Sequence, residues 1–315
     1  MNAHHGFSPA QVDELRTHGI ELFAGRVIFD AQPPMAEADI AAVQAQCRGP
    51  LPPDLLALWR QTAGGRLAYD LDVAMRTANG ERIEAISWAE LFYEGSERYH
   101  DLWGWIEHEQ QQVFELTEEA GRGHDGKLDY LPIGGFEYCD RIYVVTTPGA
   151  PDCGGVLAWK MGLPPAWAPA MTEDAVATFA PSLQAAFAQL ALHQDPLAAH
   201  DDYHPCVELL EYLDERREHG LPAELADALL AFYRRAYIDW PGLLQAGTLA
   251  VHPRALRLAL AHAVECDDTD LLRRIAAAGC PLDGLVRGGD DALAHARFLN
   301  KPAAAETLAA LTRPG

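Results

Sequence analysis

The spacing of apolar residues along the chain predicts two regions of different architecture. Up to Asp195, stretches with helical spacing alternate with short stretches that are apolar throughout or alternate apolar with polar residues. After Asp195 only helical spacing remains. The order of elements in the first region is typical of an α+β fold with a mostly antiparallel sheet and packed helices. The second region is predicted to be all-helical.

Turn residues and apolar positions predict the elements of the first region. Asn79-Gly80 is a strong hairpin-turn signal, and Gly134-Gly135 permits a tight reversal with positive φ. Leu55 and Trp59 are expected to be core anchors on one helix face. The predicted helices are 9–18, 36–47, 54–62, 88–93, 99–119 and 181–192. The predicted strands are 20–29, 67–76, 82–87, 128–133, 141–147 and 155–160.

The second region is predicted to consist of helices joined mostly by short loops. The helices are 205–219, 222–236, 253–264, 268–278, 291–298 and 302–311, with a longer loop at 237–252. We therefore expect three segments. These are an α+β domain over 1–192 with an N-terminal arm, a linker at 193–204 and a helical domain over 205–315.

Length and composition agree with two globular domains. The chain has 315 residues, of which 49% are apolar and 22% are charged, close to ordinary globular values of about 45–50% and 25%. It contains no run of about 20 apolar residues and no secretory signal pattern at its start. Its six cysteines are scattered without a C-x-x-C pair, which favours reduced thiols. We therefore expect a cytoplasmic protein.

The charge is strongly acidic and unevenly distributed. The net charge is −22. Residues 1–195 contain 28 acids and 12 bases, net −16, whereas residues 196–315 contain 18 acids and 12 bases, net −6. A field of this sign repels nucleic acids and anionic membranes and attracts basic partners. Acidity also serves solubility alone, so both interpretations stay open.

The helical region contains an internal repeat. The segment 255–259 (Ala-Leu-Arg-Leu-Ala) recurs 37 residues later as 292–296 (Ala-Leu-Ala-His-Ala), with Asp-Leu-Leu at 270–272 and Ala-Gly-Cys-Pro-Leu-Asp at 278–283 between them. These segments resemble ankyrin repeats, whose period is about 33 residues, with a small insertion near 285–289. The usual opening threonine and histidine are replaced, which implies degenerate or terminal repeats. A generic helical bundle is the alternative.

Three segments of the first region resemble the SUKH superfamily over residues 36–192. The first is the proline-started helix Leu-Pro-Pro-Asp-Leu-Leu-Ala-Leu-Trp at 51–59, followed by Gly64-Gly65. The second is Leu-Pro-Ile-Gly-Gly-Phe at 131–136, followed by Asp140 and Ile-Tyr-Val-Val at 142–145. The third is Gly-Val-Leu-Ala-Trp at 155–159, which resembles the final strand. The late helix 181–192 completes the order.

The resemblance implies binding and not catalysis. SUKH proteins are mostly bacterial immunity proteins that neutralise a cognate toxin, and other members are cell-wall or signalling regulators in eukaryotes. Ankyrin-like repeats likewise bind proteins. Both halves of the chain are therefore expected to take part in protein–protein recognition.

Motifs that would indicate catalysis or metal binding are incomplete. The segment 121–126 matches G-x-G-x-x-G, but it follows a predicted helix and precedes a strand, the reverse of a dinucleotide site. His108-Glu109 begins like a zinc-protease helix, but position 112 is glutamine. The segment 200–206 contains His200, His204 and Cys206 but lies at the predicted linker. We therefore expect a non-enzyme without a cofactor or a metal.

Two segments combine aromatic and acidic residues as tight protein interfaces do. One is the loop and helix start at 93–105, and the other is the connection at 136–140, whose Glu137 and Asp140 are expected to be exposed. Trp103 and Trp105 cannot share one side of a regular helix, so core packing is the alternative for either ring. The candidate partner-binding residues are Tyr93, Glu94, Glu97, Asp101, Trp103, Glu137, Tyr138 and Asp140.

Taken as a whole, the sequence favours a toxin-neutralising immunity protein. Its expected partner is a cognate and basic protein toxin, whose active site or functional surface it would cover; nucleic acid and membrane are not expected partners. A scaffold or regulatory protein that acts through the helical repeats is the alternative. An enzyme of unrecognised type is the third possibility.

Overall fold

The structure is a computed structural model of the chain. It describes residues 6–77, 80–96, 101–119, 121, 125–161, 176–198 and 204–312. The chain forms two compact units. The first contains 1–73, 85–192 and 196–236, and the second contains 74–84, 193–195 and 237–315.

Most strands lie in the first half of the chain, whereas helices occur in both halves. The strands are β1 (Ile20–Phe23), β2 (Arg26–Phe29), β3 (Gly65–Arg66), β4 (Asp72–Thr77), β5 (Gly80–Ala85), β6 (Glu90–Leu91), β7 (Tyr130–Phe136), β8 (Asp140–Val145), β9 (Val156–Lys160), β10 (Val176–Ala180), β11 (Leu285–Arg287) and β12 (Asp290–Asp291). The helices are α1 (Pro9–Thr17), α2 (Glu37–Gln46), α3 (Pro53–Trp59), α4 (Leu102–Glu119), α5 (Leu183–Gln189), α6 (Cys206–Glu218), α7 (Ala223–Tyr233), α8 (Trp240–Gln245), α9 (Pro253–Glu265), α10 (Thr269–Ala277), α11 (Ala292–Phe298) and α12 (Pro302–Leu311). Within the described part of the chain, none of these helices is both long enough and apolar enough to cross a membrane.

A large antiparallel sheet organises the first unit, so the mixed helix-and-sheet class is confirmed. Among the described residues the sheet has eight strands in the order β1-β2-β3-β6-β7-β8-β9-β10. The predicted strands 128–133, 141–147 and 155–160 correspond to β7, β8 and β9 and are adjacent in it. The sheet therefore follows chain order, and the β4–β5 hairpin is an excursion between β3 and β6.

Leu55 and Trp59 lie in the core of the first unit, as predicted. Both belong to α3, which begins directly after the extended residue Pro52, and both are buried. A helix of only seven residues gains little from its own hydrogen bonds. Its stability therefore comes mostly from the packing of this apolar face.

The pair Gly134-Gly135 lies inside β7, so the prediction of a reversal at this pair is wrong. A β-carbon on Gly134 would lie 2.3 Å from the carbonyl oxygen of Glu90, and one on Gly135 would lie 2.2 Å from that of Asp140. The glycines therefore allow both neighbouring strands to approach β7 closely. The reversal follows at 137–139. Positive φ is present at Gly135 (148°), as expected, and also at Glu137 (46°).

Three further local predictions are corrected. The predicted strand 20–29 is a hairpin, because Ala24 and Gly25 adopt φ of 47° and 79°, as a two-residue primed turn requires. The predicted helix 88–93 is extended and contains β6, whose Leu91 pairs with β3 and β7. The predicted loop 237–252 contains α8. In addition, β10 was not predicted.

Helices α6 and α7 belong to the first compact unit, although the sequence predicts that they open the second domain. Tyr212 of α6 lies with its ring 5.4 Å from that of Phe29. Tyr233 of α7 donates a hydrogen bond to the carbonyl of Ala68, and its ring lies 5.0 Å from that of Tyr69. Because these aromatic contacts join both helices to the sheet unit, the first compact unit extends to Ala236, and of the predicted linker only 193–195 belongs to the second unit.

The second unit consists of two stacked helix pairs. Helices α9 and α10 form one pair and α11 and α12 the other, with contacts of α9 on α11 and of α10 on α12. Asp268 caps α10 and Asp291 caps α11 through their side chains. The hairpin β11–β12 joins the pairs, and its Gly288 exchanges two backbone hydrogen bonds of 2.8 and 2.9 Å with Ile83 at the end of the β4–β5 excursion.

Candidate functional site

The predicted segments 93–105 and 136–140 come together at the start of α4. Asp101 caps this helix, since its carboxylate accepts hydrogen bonds from the backbone N–H of Gly104 (2.7 Å) and of Gly95 (3.2 Å). The N–H of Leu102 donates to the carbonyl of Tyr93 at 3.1 Å. Asp101 is therefore a structural residue that joins the 93–96 loop to the helix.

An exposed tyrosine lies on a buried tryptophan at this place. Tyr138 is 39% exposed, whereas Trp105 is 1% exposed. Their ring centroids are 5.4 Å apart, and the two rings pack edge to face. The centroid of the Tyr138 ring also lies 6.3 Å from the centroid of the His108 ring. Phe92 stacks on Trp105 at 5.4 Å. Because the Trp105 ring is buried in the core, it forms a rigid base on which the exposed Tyr138 ring packs.

Buried Arg141 supports this base from the sheet. Its guanidinium carbon lies 3.4 Å from the ring centroid of Trp105 and 5.6 Å from that of Trp159, within the range of cation–π contacts. Its Nη1 donates a 2.8 Å hydrogen bond to the carbonyl of Glu137. Arg141 thus holds the 137–139 turn, in which Glu137 has its unusual positive φ, against α4.

A buried acid accompanies this arginine. Glu109 of α4 accepts a 2.9 Å hydrogen bond from the Tyr143 hydroxyl, and its Oε1 lies 3.6 Å from Nε of Arg141. Burial raises the pKa of Glu109 to about 8, although Arg141 and the Tyr143 hydrogen bond oppose the shift. Burial and the neighbouring Glu109 raise the pKa of Tyr143 well above its ordinary value. These groups lie beneath the surface and do not contact a partner directly.

Asp140 is buried, so its predicted exposure is wrong. It is 3% exposed, and its Oδ2 accepts a 2.6 Å hydrogen bond from the N–H of Ser87. Lys160 Nζ lies 3.8 Å from its Oδ1. Burial raises the pKa of this carboxyl. Successive residues of a strand point to opposite faces, so Asp140 lies on the face opposite Arg141 and α4 and is removed from the candidate surface.

The other predicted residues differ in exposure. Glu94 and Glu137 are exposed, whereas Tyr93 and Trp103 are half-buried. Trp103 and Trp105 cannot lie on the same side of α4, and Trp105 is the one that is buried in the core. Glu97 lies outside the residues that the structure describes. The surface that remains, called here the Tyr138 surface, consists of Tyr138, Glu137 and the neighbouring His108, together with exposed Glu94 of the 93–96 loop at the start of α4.

Two contributors to this surface were missed in the sequence. His108 appeared there only as part of a failed zinc motif, yet its ring lies 5.5 Å from Trp105. Arg141 was not singled out at all. A charged residue at the start of the apolar strand 141–145 could have indicated a buried ion pair, because such a charge needs a partner.

The rejected metal and nucleotide motifs lie only partly within the described residues. No group of three or more potential metal ligands is found there. His204 Nδ1 lies 2.8 Å from Cys206 Sγ, and both side chains are buried in the first unit; His200 lies outside the described residues. In the glycine segment 121–126, residues 122–124 also lie outside them.

Comparisons with protein-family models, with curated proteins and with solved structures find no match to this chain. The function therefore has to be argued from the geometry of the surface and from the charge of the chain.

Proposed function

We propose that this chain is an immunity protein that binds a cognate basic toxin and neutralises it by covering its active site or functional surface. The observation that carries the proposal is the exposed Tyr138 on the buried Trp105–Arg141 base, with the exposed acid Glu137 next to it in the chain and exposed Glu94 in the loop at the start of α4. Aromatic anchors on a rigid base with charged residues around them are typical of interface hot spots.

The charge of the chain supports a basic partner. The net charge is −22, and residues 1–195 account for −16 of it. Such a field attracts a positively charged protein and raises the association rate. The aromatic group then supplies the contact area that slows dissociation. Steering and occlusion together account for neutralisation without any catalytic step.

The arrangement of elements is compatible with the resemblances seen in the sequence. We infer a SUKH-like unit over 36–192, supported by the proline-started helix α3 and the adjacent strands β7, β8 and β9. We infer degenerate ankyrin-like repeats in the second unit, supported by its two stacked helix pairs and the hairpin between them. Both resemblances favour a protein-binding role.

The proposal is tested by growth rescue in bacteria. The chain is co-expressed with the product of a basic toxin gene found beside its own gene, and survival is measured. We expect the wild-type chain to protect and the variant with Tyr138→Ala and Glu137→Lys to fail, although its circular dichroism is unchanged. The matched control carries Phe298→Ala and Glu306→Lys, which change an exposed aromatic and an exposed acid of the second unit.

The control also tests a second candidate function, a scaffold that binds its partner through the helical repeats. Two large apolar side chains of the second unit, Phe298 and Val251, are 78% and 75% exposed. Contiguous patches of exposed apolar side chains often mark contact sites, and these two residues would be candidates for such a patch. If the Phe298→Ala control loses its partner and the Tyr138 variant does not, the scaffold function is favoured over the proposed one.

A further inference from the structure

A groove beside α4 lies next to the Tyr138 surface. It has a volume of about 870 Å³ and separates α4 from the segment 125–127 and from Gln46 at the end of α2. Gln110 joins the two walls, since its Nε2 donates to the carbonyl of Gly126 (2.8 Å) and to Oε1 of Gln46 (3.1 Å). The volume is within the range of about 300–1,000 Å³ that ligand clefts occupy.

One stripe of α4 lines the groove and continues beyond it. Glu107, Gln111, Phe114 and Glu118 follow each other at spacings of four, three and four residues, which places them on one face of the helix. All four are exposed, and the Phe114 side chain is 52% exposed. The stripe therefore presents an aromatic ring between two carboxylates.

The described charges near the groove are negative in sum. Arg48 is held by Asp125 (2.8 Å) and Asp129 (2.7 Å), and Lys127 Nζ donates to the carbonyl of Ala45. The carboxylates of Glu107 and Glu118, in contrast, form no hydrogen bond or ion pair with another described residue. Glu107, Glu118, Asp125 and Asp129 outnumber the bases Arg48 and Lys127, whose ammonium keeps its charge, so the described charges near the groove favour a cationic ligand.

From this arrangement we infer that the groove and the adjoining face of α4 bind an arginine-rich segment of the partner, with one guanidinium group on the Phe114 ring and others near Glu107 and Glu118. This inference rests on the proposed function, because it identifies the part of a basic partner that is recognised. A planar guanidinium stacks on an aromatic ring and donates several N–H groups to carboxylates at the same time. A lysine ammonium is compact and strongly hydrated and fits this arrangement less well.

The test measures peptide binding to the full chain by fluorescence anisotropy. The probes are labelled hexa-arginine, hexalysine and hexaglutamate peptides. We expect hexa-arginine to bind most tightly and Phe114→Leu and Glu107→Gln each to weaken it about two- to five-fold. The matched controls Phe298→Leu and Glu211→Gln change an exposed aromatic and an exposed acid elsewhere, and they should leave the affinity nearly unchanged.

Several outcomes would overturn the inference. Equal weakening by Glu211→Gln and Glu107→Gln would show diffuse attraction to an acidic protein. Unchanged affinity for Phe114→Leu, or tighter binding of hexaglutamate, would exclude an arginine on the ring. Sedimentation of the chain without a partner tests whether a second copy of the chain occupies the groove. A dimer that dissociates in the Phe114→Leu variant would assign this face to a second copy.

The peptide test and the growth-rescue test fail separately. If Tyr138→Ala with Glu137→Lys abolishes protection but the groove variants leave peptide binding unchanged, the groove inference is wrong and the proposed function stands. If the groove variants weaken hexa-arginine binding but the chain protects against no toxin, the proposed function is wrong and the cationic site stands.

Discussion

The two compact units bury different kinds of residue. Among the described residues, the buried polar and charged side chains of the first unit are Glu21, Thr62, Glu90, Glu109, Asp140, Arg141, Thr146 and His204, whereas the second unit buries only His295. The core of the second unit consists mainly of leucine and alanine on its helices. Buried charges need partners from other elements. The first unit therefore adds long-range polar contacts to its apolar core, whereas the second depends on apolar helix packing.

The largest expected effect concerns where the first unit ends. We expect the fragment 1–192 to lack cooperative unfolding, because it loses the contacts of Tyr212 with Phe29 and of Tyr233 with Tyr69 and Ala68. The fragment 1–236 keeps them and should unfold cooperatively. Thermal unfolding followed by circular dichroism compares the two fragments. A cooperative 1–192 fragment would restore the predicted linker at 193–204 as the boundary.

This boundary shows what the sequence could and could not predict. The helical spacing at 206–233 correctly indicates helices, but spacing does not tell which unit a helix packs on. That depends on tyrosine contacts across more than 150 residues, such as the Tyr233 hydroxyl with the Ala68 carbonyl. In the second unit the helices α9 to α12 were predicted closely, because caps such as Asp268 and Asp291 are local.

The same distinction applies to the candidate surface. Tyr138 and Glu137 were predicted to be at the surface because they follow a glycine-rich strand, and both are exposed. Asp140 was misplaced because a strand begins at it, and its burial depends on Ser87 of a distant segment. Arg141 was missed because its role depends on Trp105 of α4. Local sequence patterns do not show which distant residues pair with a charged side chain.

The second prediction concerns the buried ion pair of Glu109 and Arg141 in the first unit. Arg141→Met is expected to lower the free energy of unfolding by about 3–5 kcal/mol at pH 9, where the buried Glu109 carboxyl has either to stay charged without a partner or to bind a proton. Adding Glu109→Leu should recover a large part of the loss, because two apolar groups replace the pair. Urea unfolding followed by tryptophan fluorescence measures both variants.

The matched control for that prediction lies in the second unit. Leu272→Ala removes a fully buried apolar side chain and should cost about 2–5 kcal/mol. Because no charge is involved, its cost should be the same at pH 6 and at pH 9. A pH-independent cost for Arg141→Met would contradict the role assigned to the charge of Glu109.

The third prediction uses the raised pKa of Glu109. The unfolded chain releases this proton near the ordinary value of 4.5 and the folded chain near 8, so the folded state binds the extra proton between these values. The free energy of unfolding therefore falls as the pH rises through this window, by at most about 1.4 kcal/mol per unit. Glu109→Gln keeps the neutral form and should remove this slope.

Urea unfolding at pH 5 and at pH 9 measures this effect. We expect Glu109→Gln to be close to the wild type at pH 5 and to exceed it by up to about 4 kcal/mol at pH 9. Glu115→Gln, on the exposed face of the same helix, should follow the wild-type curve at both values. The prediction fails if the slope survives in Glu109→Gln or disappears equally in Glu115→Gln.

The smallest effect on stability is expected at the exposed acids. Glu94→Lys and Glu137→Lys should change the free energy of unfolding by less than about 0.5 kcal/mol, because both side chains are exposed. Their effect should appear in the kinetics of binding to the partner that co-purifies with the chain. The double variant should associate about tenfold more slowly at low salt, with a dissociation rate close to that of the wild type.

The salt dependence of binding distinguishes long-range electrostatic attraction from direct contact at Glu94 and Glu137. At high salt the association rates of the wild type and the double variant should converge, because screening removes the long-range attraction. Glu211→Lys, an exposed acid of α6, is the control for net charge alone. Asp140→Lys is unsuitable as a binding variant, since this carboxyl is buried and its reversal disrupts the unit itself. If Glu94→Lys and Glu137→Lys bind with unchanged kinetics, the Tyr138 surface is not the contact, and the acidity of the first unit serves solubility.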